Sequence, residues 1–151
     1  MQYAQAPNSA ESGHRAIERL IADYALLVDR GDFARVGALF ATGTFGGSGA
    51  RIEGSAAVEK MLTTTVIRYD DGTPRTKHLV TNLVVDVDEE HGTATARSYF
   101  TVLQATSDLP LQPIVSGRYA DEFHRTGATW SFASRTVTMD LIGDVSNHLR
   151  R

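Results

Sequence analysis

The chain predicts an α+β fold in which helices come first and a curved antiparallel sheet follows. Three observations carry that expectation. Apolar residues near the start recur at three- and four-residue steps, the pattern changes to period two from Arg75 onward, and the later strands are too long to lie flat. The first helix is expected from about Ser9 to Arg30, with Ile17, Leu20, Ile21, Tyr24 and Val28 on one face. Asn8 with Glu11 three residues on makes a capping box for it, and Gly31 is its stop signal. Asp32 caps a second, short helix over Phe33–Phe40. The glycine-rich stretch TGTFGGSGARIEG reads as short strand and turns, and a third helix starts at Ser55 and runs through AAVEKMLTTTV.

About four long strands follow, with turns near Glu89–Gly92, Ser107–Pro113 and Thr126–Ala128. Pro113–Arg125 and Thr129–Gly143 would extend roughly 43–50 Å at 3.3 Å per residue. A compact chain of this length has a diameter just under about 40 Å. The sheet must therefore twist and bend, and Gly117 in mid-strand is the expected place. A bent sheet wrapped on a long helix leaves a space that neither layer fills.

Composition narrows the function classes. The 151 residues are 42% hydrophobic and 22% charged with a net charge of −3, so the basic clusters that nucleic acid and anionic membranes require are missing. Without cysteine, thiol catalysis, disulfides and Cys-zinc sites are excluded. The five histidines form no ligand spacing, so no metal is expected, and no phosphate loop or dinucleotide fingerprint appears, so no cofactor is expected either. No signal peptide or long apolar run is recognisable, which makes a cytoplasmic protein the default. One domain over 1–151 is expected, with 1–10 a loose lead-in and 145–151 a tail.

Asp29 is the residue that asks for an explanation. It lies in the last turn of the first helix, where the macrodipole disfavours negative charge by about 0.3–1 kcal/mol, and on the flank of the apolar stripe near Ala25. It needs a partner. In TKHLVTNLVVDVDEEHGTATARSYF, Leu83, Val85 and Val87 alternate inward, and His78 is out of phase with them. Either His78 points to the outer side, or a bulge between His78 and Leu83 resets the phase and turns it inward. Asn82 shares a strand face with His78 only if no bulge intervenes.

Three stretches, AIERLIADYALLVDRGDFARVGALFA, TKHLVTNLVVDVDEEHGTATARSYF and GRYADEFHRTGATWSFASRTVTMDLIGD, together resemble the SnoaL-like branch of the nuclear-transport-factor-2-like superfamily over about residues 14–144. The resemblance implies a cone-shaped, cystatin-like α+β barrel with a pocket at its open end. It also implies a catalytic Asp–His pair, as in scytalone-dehydratase-like lyases, bile-acid dehydratases and the hexachlorocyclohexane dehydrochlorinase. Asp29 and His78 match those two positions. Tyr24 matches a pocket residue five positions before the aspartate, and Arg135 the dehydrochlorinase's arginine five positions after the last-strand Trp. The aromatic rings and second histidine of the scytalone dehydratase pocket are not recognisable. Asp29 and His78 are thus the candidate catalytic residues, and Tyr24, Arg135 and Asn82 the candidate substrate contacts. The expected activity is a cofactor-independent lyase or isomerase acting on a cyclic, mainly apolar small molecule; the alternative is a non-catalytic binding or assembly module. The mixed apolar face Thr95, Arg97, Tyr99, Thr101 and Leu103, with the resemblance, implies a homo-oligomer, dimer or trimer.

Overall fold

The computed structural model describes residues 12–47 and 49–151. Helix α1 spans Gly13–Asp29 and buries Ile17, Ile21, Tyr24 and Val28, the stripe expected from their spacing. Its cap is Ser12, extended at φ −59° and ψ 145°, whose hydroxyl accepts from the Arg15 amide. The expected start at Ser9 and the Asn8–Glu11 box lie outside the described residues. Gly31 ends the helix at φ 74°, where an added Cβ would meet the Gly72 carbonyl oxygen at 2.1 Å. Only glycine fits that turn. Asp32 then caps α2, Phe33–Ala38, by accepting from the Arg35 amide. Strands β1 (Thr44–Gly46) and β2 (Arg51–Glu53) precede α3 (Ser55–Thr65), which buries Val58 and Leu62 and packs on α2.

Four long strands follow: β3 (Thr76–Asp88), β4 (Thr93–Gln104), β5 (Gln112–Thr126) and β6 (Thr129–Ile142). The sheet order is β2-β1-β6-β5-β4-β3, antiparallel throughout the long strands, with β1 running parallel to β6. The sheet is curved and stays open rather than closing into a barrel, because β2 and β3 at its two edges do not pair. Gly117 sits where a bend was expected. The β5–β6 register shifts beside it, and an added Cβ would lie 2.0 Å from the Thr138 carbonyl oxygen and 2.9 Å from the Phe100 ring.

Two bulges decide which polar side chains face the helix. In β3, Thr81 pairs with Tyr99 and Val84 with Arg97, so Asn82 and Leu83 together oppose Ser98. Asn82 takes the left-handed conformation, φ 53°, which asparagine tolerates better than most residues. Thr76, His78 and Val80 therefore share the inward side with Leu83, Val85 and Val87. In β6, Phe123 pairs with Phe132 but Glu122 with Ser134, which leaves Ala133 as the extra residue and turns Arg135 inward.

The segment expected as a tail, residues 145–151, is packed. His148 and Leu149 lie along the end of α3: the Ile67 amide donates to the His148 carbonyl (2.8 Å), the Arg150 amide to that of Thr65 (2.8 Å), and Leu149 bridges Val66. The Gln104 amide (3.0 Å) and the Tyr69 hydroxyl both donate to the Asn147 carbonyl. Backbone groups that a free tail would give to water are satisfied by three different elements. Among the described residues, no helix is long and apolar enough to cross a membrane.

Candidate active site

Asp29, the last residue of α1, meets His78 near the start of β3. The Asp29 carboxylate accepts three hydrogen bonds: from His78 Nδ1 (2.6 Å), from the His78 backbone amide (2.8 Å) and from the Thr76 hydroxyl (2.8 Å). These three donors offset the unfavourable placement at a helix C-terminus. The side chains are 11% and 8% exposed, so the pair sits at low dielectric, where such bonds are strong. An ionised carboxylate only accepts, so with Asp29 in that form Nδ1 carries the proton and, in the neutral imidazole, Nε2 is the acceptor.

That imidazole forms part of the wall of a cavity of about 550 Å³ between α1, α3 and the sheet. Val28, Leu62, Phe100, Val102, Val115 and Val137 make most of the wall apolar. A larger groove of about 660 Å³, lined by Asp86, Arg97, Glu122 and Thr136 among others, includes neither Asp29 nor His78.

Tyr24 also lines the cavity. Its ring stacks on Phe45 (6.0 Å between centroids) and meets Phe40 and Tyr119 edge-on. Burial pushes its hydroxyl up to about 12, against the opposing pull of the Arg135 charge, so it holds its proton and is a donor at neutral pH.

Arg135 lies behind this wall. It is fully buried, its Nε and Nη2 donate to Asp121 at 2.8 and 2.9 Å, and its guanidinium rests 3.7 Å from the Tyr119 ring and 4.4 Å from that of Tyr24. Burial works against its charge, and Asp121 outweighs that and raises its pKa. Arg135 is not among the residues lining the cavity; it backs two rings that are. Asn82 is exposed at the bulge and does not line the cavity either, because the bulge that turns His78 inward takes Asn82 out of its phase.

Two residues escaped the sequence reading. Asp121 had a usable signal: Gly117, Tyr119, Asp121 and Phe123 alternate inward on β5. His148 had none, since it belongs to no periodic segment. The structure places its ring 6.4 Å from that of His78, in the same cavity wall. Burial pushes it down to about 4, helped by the neighbouring His78 and opposed by Asp29.

Residues 12–136 match the model of the SnoaL-like domain. The chain belongs to the SnoaL-like family. No curated protein matches it. Similar solved structures include an NTF2-like protein with a cystatin-like fold from Novosphingobium aromaticivorans, 24% identical, covering 83% of this chain and 80% of that one with a TM-score of 0.68. A candidate scytalone dehydratase from the same organism is 24% identical, with coverage of 87% and 86% and a TM-score of 0.68. A candidate aromatic ring hydroxylase, again from that organism, is 25% identical, with coverage of 95% and 99% and a TM-score of 0.69. The chain thus has the α+β, cystatin-like fold of this SnoaL-like family.

Proposed function

We propose that this SnoaL-like protein is a cofactor-independent lyase or isomerase that moves a proton on a cyclic, mainly apolar small molecule. The observation that carries the reading is the 2.6 Å Asp29–His78 contact set in an apolar cavity. His78 Nε2 takes a proton from a C–H bond of the substrate. The C–H electrons form a new double bond, and either a β substituent leaves with its bonding pair or an adjoining C=C bond shifts and its electrons take the proton back at its far carbon. Asp29 holds the imidazole in the required tautomer and stabilises the imidazolium that forms. Tyr24, with its proton retained, donates to the oxygen on which charge develops. Arg135 acts on Tyr24 and Tyr119 from behind and does not touch the substrate.

Deuterium exchange from solvent into a panel of bicyclic ketones, 2-tetralone among them, tests the reading by NMR. Asp29→Asn and His78→Gln should each slow exchange by about 10²–10⁴-fold, and the double variant little more, because the two act as one unit. Full exchange rates in both single variants would remove the assignment. The second reading is a non-catalytic binding or assembly module; one structure of the same fold is the beta subunit of a candidate aromatic-ring-hydroxylating dioxygenase. That reading predicts no exchange above background in the wild type.

A further inference from the structure

His148 is 6% exposed and is held by its own backbone rather than by side-chain bonds: its amide donates to the Val145 carbonyl and its carbonyl accepts from Ile67. Its Nδ1 is buried and has no hydrogen-bond partner among the described residues. The ring lines the same cavity as His78. These facts restrict its protonation. An imidazolium would bury an N–H at Nδ1 with no acceptor, in a site that already holds a second imidazole. The titratable groups acting on it are His78 and Asp29, and burial adds to the pressure toward the neutral form. Of the two neutral tautomers, the one protonated at Nε2 leaves only a lone pair at the enclosed Nδ1 and puts its donor on the other ring nitrogen.

We propose that His148 is a second electrophilic donor of the site beside Tyr24, a neutral imidazole whose Nε2–H takes the substrate's carbonyl oxygen while His78 faces the neighbouring C–H. The two histidines then differ in kind. His78, with its proton committed to Asp29, presents an acceptor, and His148 presents a donor about one small ring away. That pairing suits a cyclic ketone. The α-proton passes to His78 Nε2, the C–H electrons form the C=C bond, and the carbonyl π electrons move onto the oxygen held by His148. The enolate collapses by expelling a β group with its bonding pair or, where a C=C bond lies in conjugation, by reprotonation at that bond's far carbon. A neutral imidazole suits this role because it polarises the carbonyl without handing over a proton that would have to be recovered. The inference rests on the proton-transfer reading of the same site, but its tests do not require turnover.

Nitrogen-15 NMR of histidine-labelled protein reads the tautomer directly. His148 should carry its proton on Nε2 and stay neutral down to about pH 5; a proton on Nδ1, or titration near the ordinary histidine range, overturns the proposal. Calorimetry with 2-tetralone and tetralin, which differ by the carbonyl oxygen, tests the contact. His148→Phe should lower the affinity ratio of ketone to hydrocarbon by about tenfold, as expected for one lost hydrogen bond. His148→Gln, which keeps an N–H donor, should restore most of it, and His78→Gln should leave it unchanged. A ratio within about twofold of wild type in His148→Phe, or one that collapses in His78→Gln instead, overturns the assignment. If the tautomer and ratio are as expected but no exchange occurs, the Asp29–His78 reading fails and the donor assignment stands.

Discussion

Asp121→Asn keeps the shape of a buried side chain and removes its charge. The structure sets the scale of the loss. Asp121 and Arg135 are direct cross-strand partners, both side chains are fully buried, and the guanidinium has no other ion partner among the described residues. Arg135 Nη1 is already without a hydrogen-bond partner there, so only the ring faces of Tyr119 and Tyr24 remain to soften an uncompensated charge. Breaking such a pair from one side costs about 3–5 kcal/mol. For a chain of this size, each kcal/mol moves the midpoint by about 2–4 °C, so Tm should fall by roughly 6–20 °C. Arg135→Met should cost a similar amount, since it strands the carboxylate instead. The two changes together should cost far less than their sum, because neither then leaves a buried charge. Urea unfolding followed by the fluorescence of Trp130, the single tryptophan and a buried one, measures all three. An Asp121→Asn loss below about 1 kcal/mol, or simple additivity in the double variant, refutes the reasoning.

The remaining predictions concern stability and assembly. His148 is neutral in the folded chain down to about pH 4 but titrates near 6.5 when unfolded, so its contribution is complete above about 6.5 and is lost as pH falls toward 4. The full shift is worth about 3 kcal/mol, and unfolding curves of His148→Phe should lack that slope. Gly117→Ala should cost about 3 kcal/mol, since its Cβ would sit against the Thr138 backbone and the Phe100 ring; an unchanged urea midpoint would show that β5 can move aside. Leu79, Thr101, Ser116 and Leu141 form one cross-strand row on the outer sheet face, beside an exposed Tyr99. We predict a dimer or trimer through this face, and light scattering that finds only the 16.4 kDa chain at tens of micromolar counts against it.

What was legible from sequence was whatever a period could carry. Ile17, Ile21, Tyr24 and Val28 declared their helix face, and Ala94, Ala96, Ser98 and Phe100 their strand face, because burial repeats with the geometry. Bulges break that link. His78 could be placed inside only on condition of a phase reset, and the reset at Asn82 is a single residue with no signature of its own. Arg135 turns inward for the same reason at Ala133, and its partner Asp121 was overlooked although its alternation with Tyr119 and Phe123 was visible. The parallel pairing of β1 with β6 and the packing of His148 depend on contacts between distant segments, which local pattern does not encode.

The β1–β6 pairing also orders how the molecule comes together. The three long hairpins close across short turns, whereas Thr44 reaches Ser134 from about ninety positions away, and distant closures carry their entropy cost before any contact repays it. Phe45, which faces Tyr24 and Phe40 from β1, is therefore expected to arrive after the sheet it joins. Until it does, the rings of Tyr24 and Phe40 lack one neighbour and the cavity lacks part of its wall. The complete cavity belongs to the finished chain alone, and the interval before β1 docks is when newly made protein should expose aromatic surface to its neighbours.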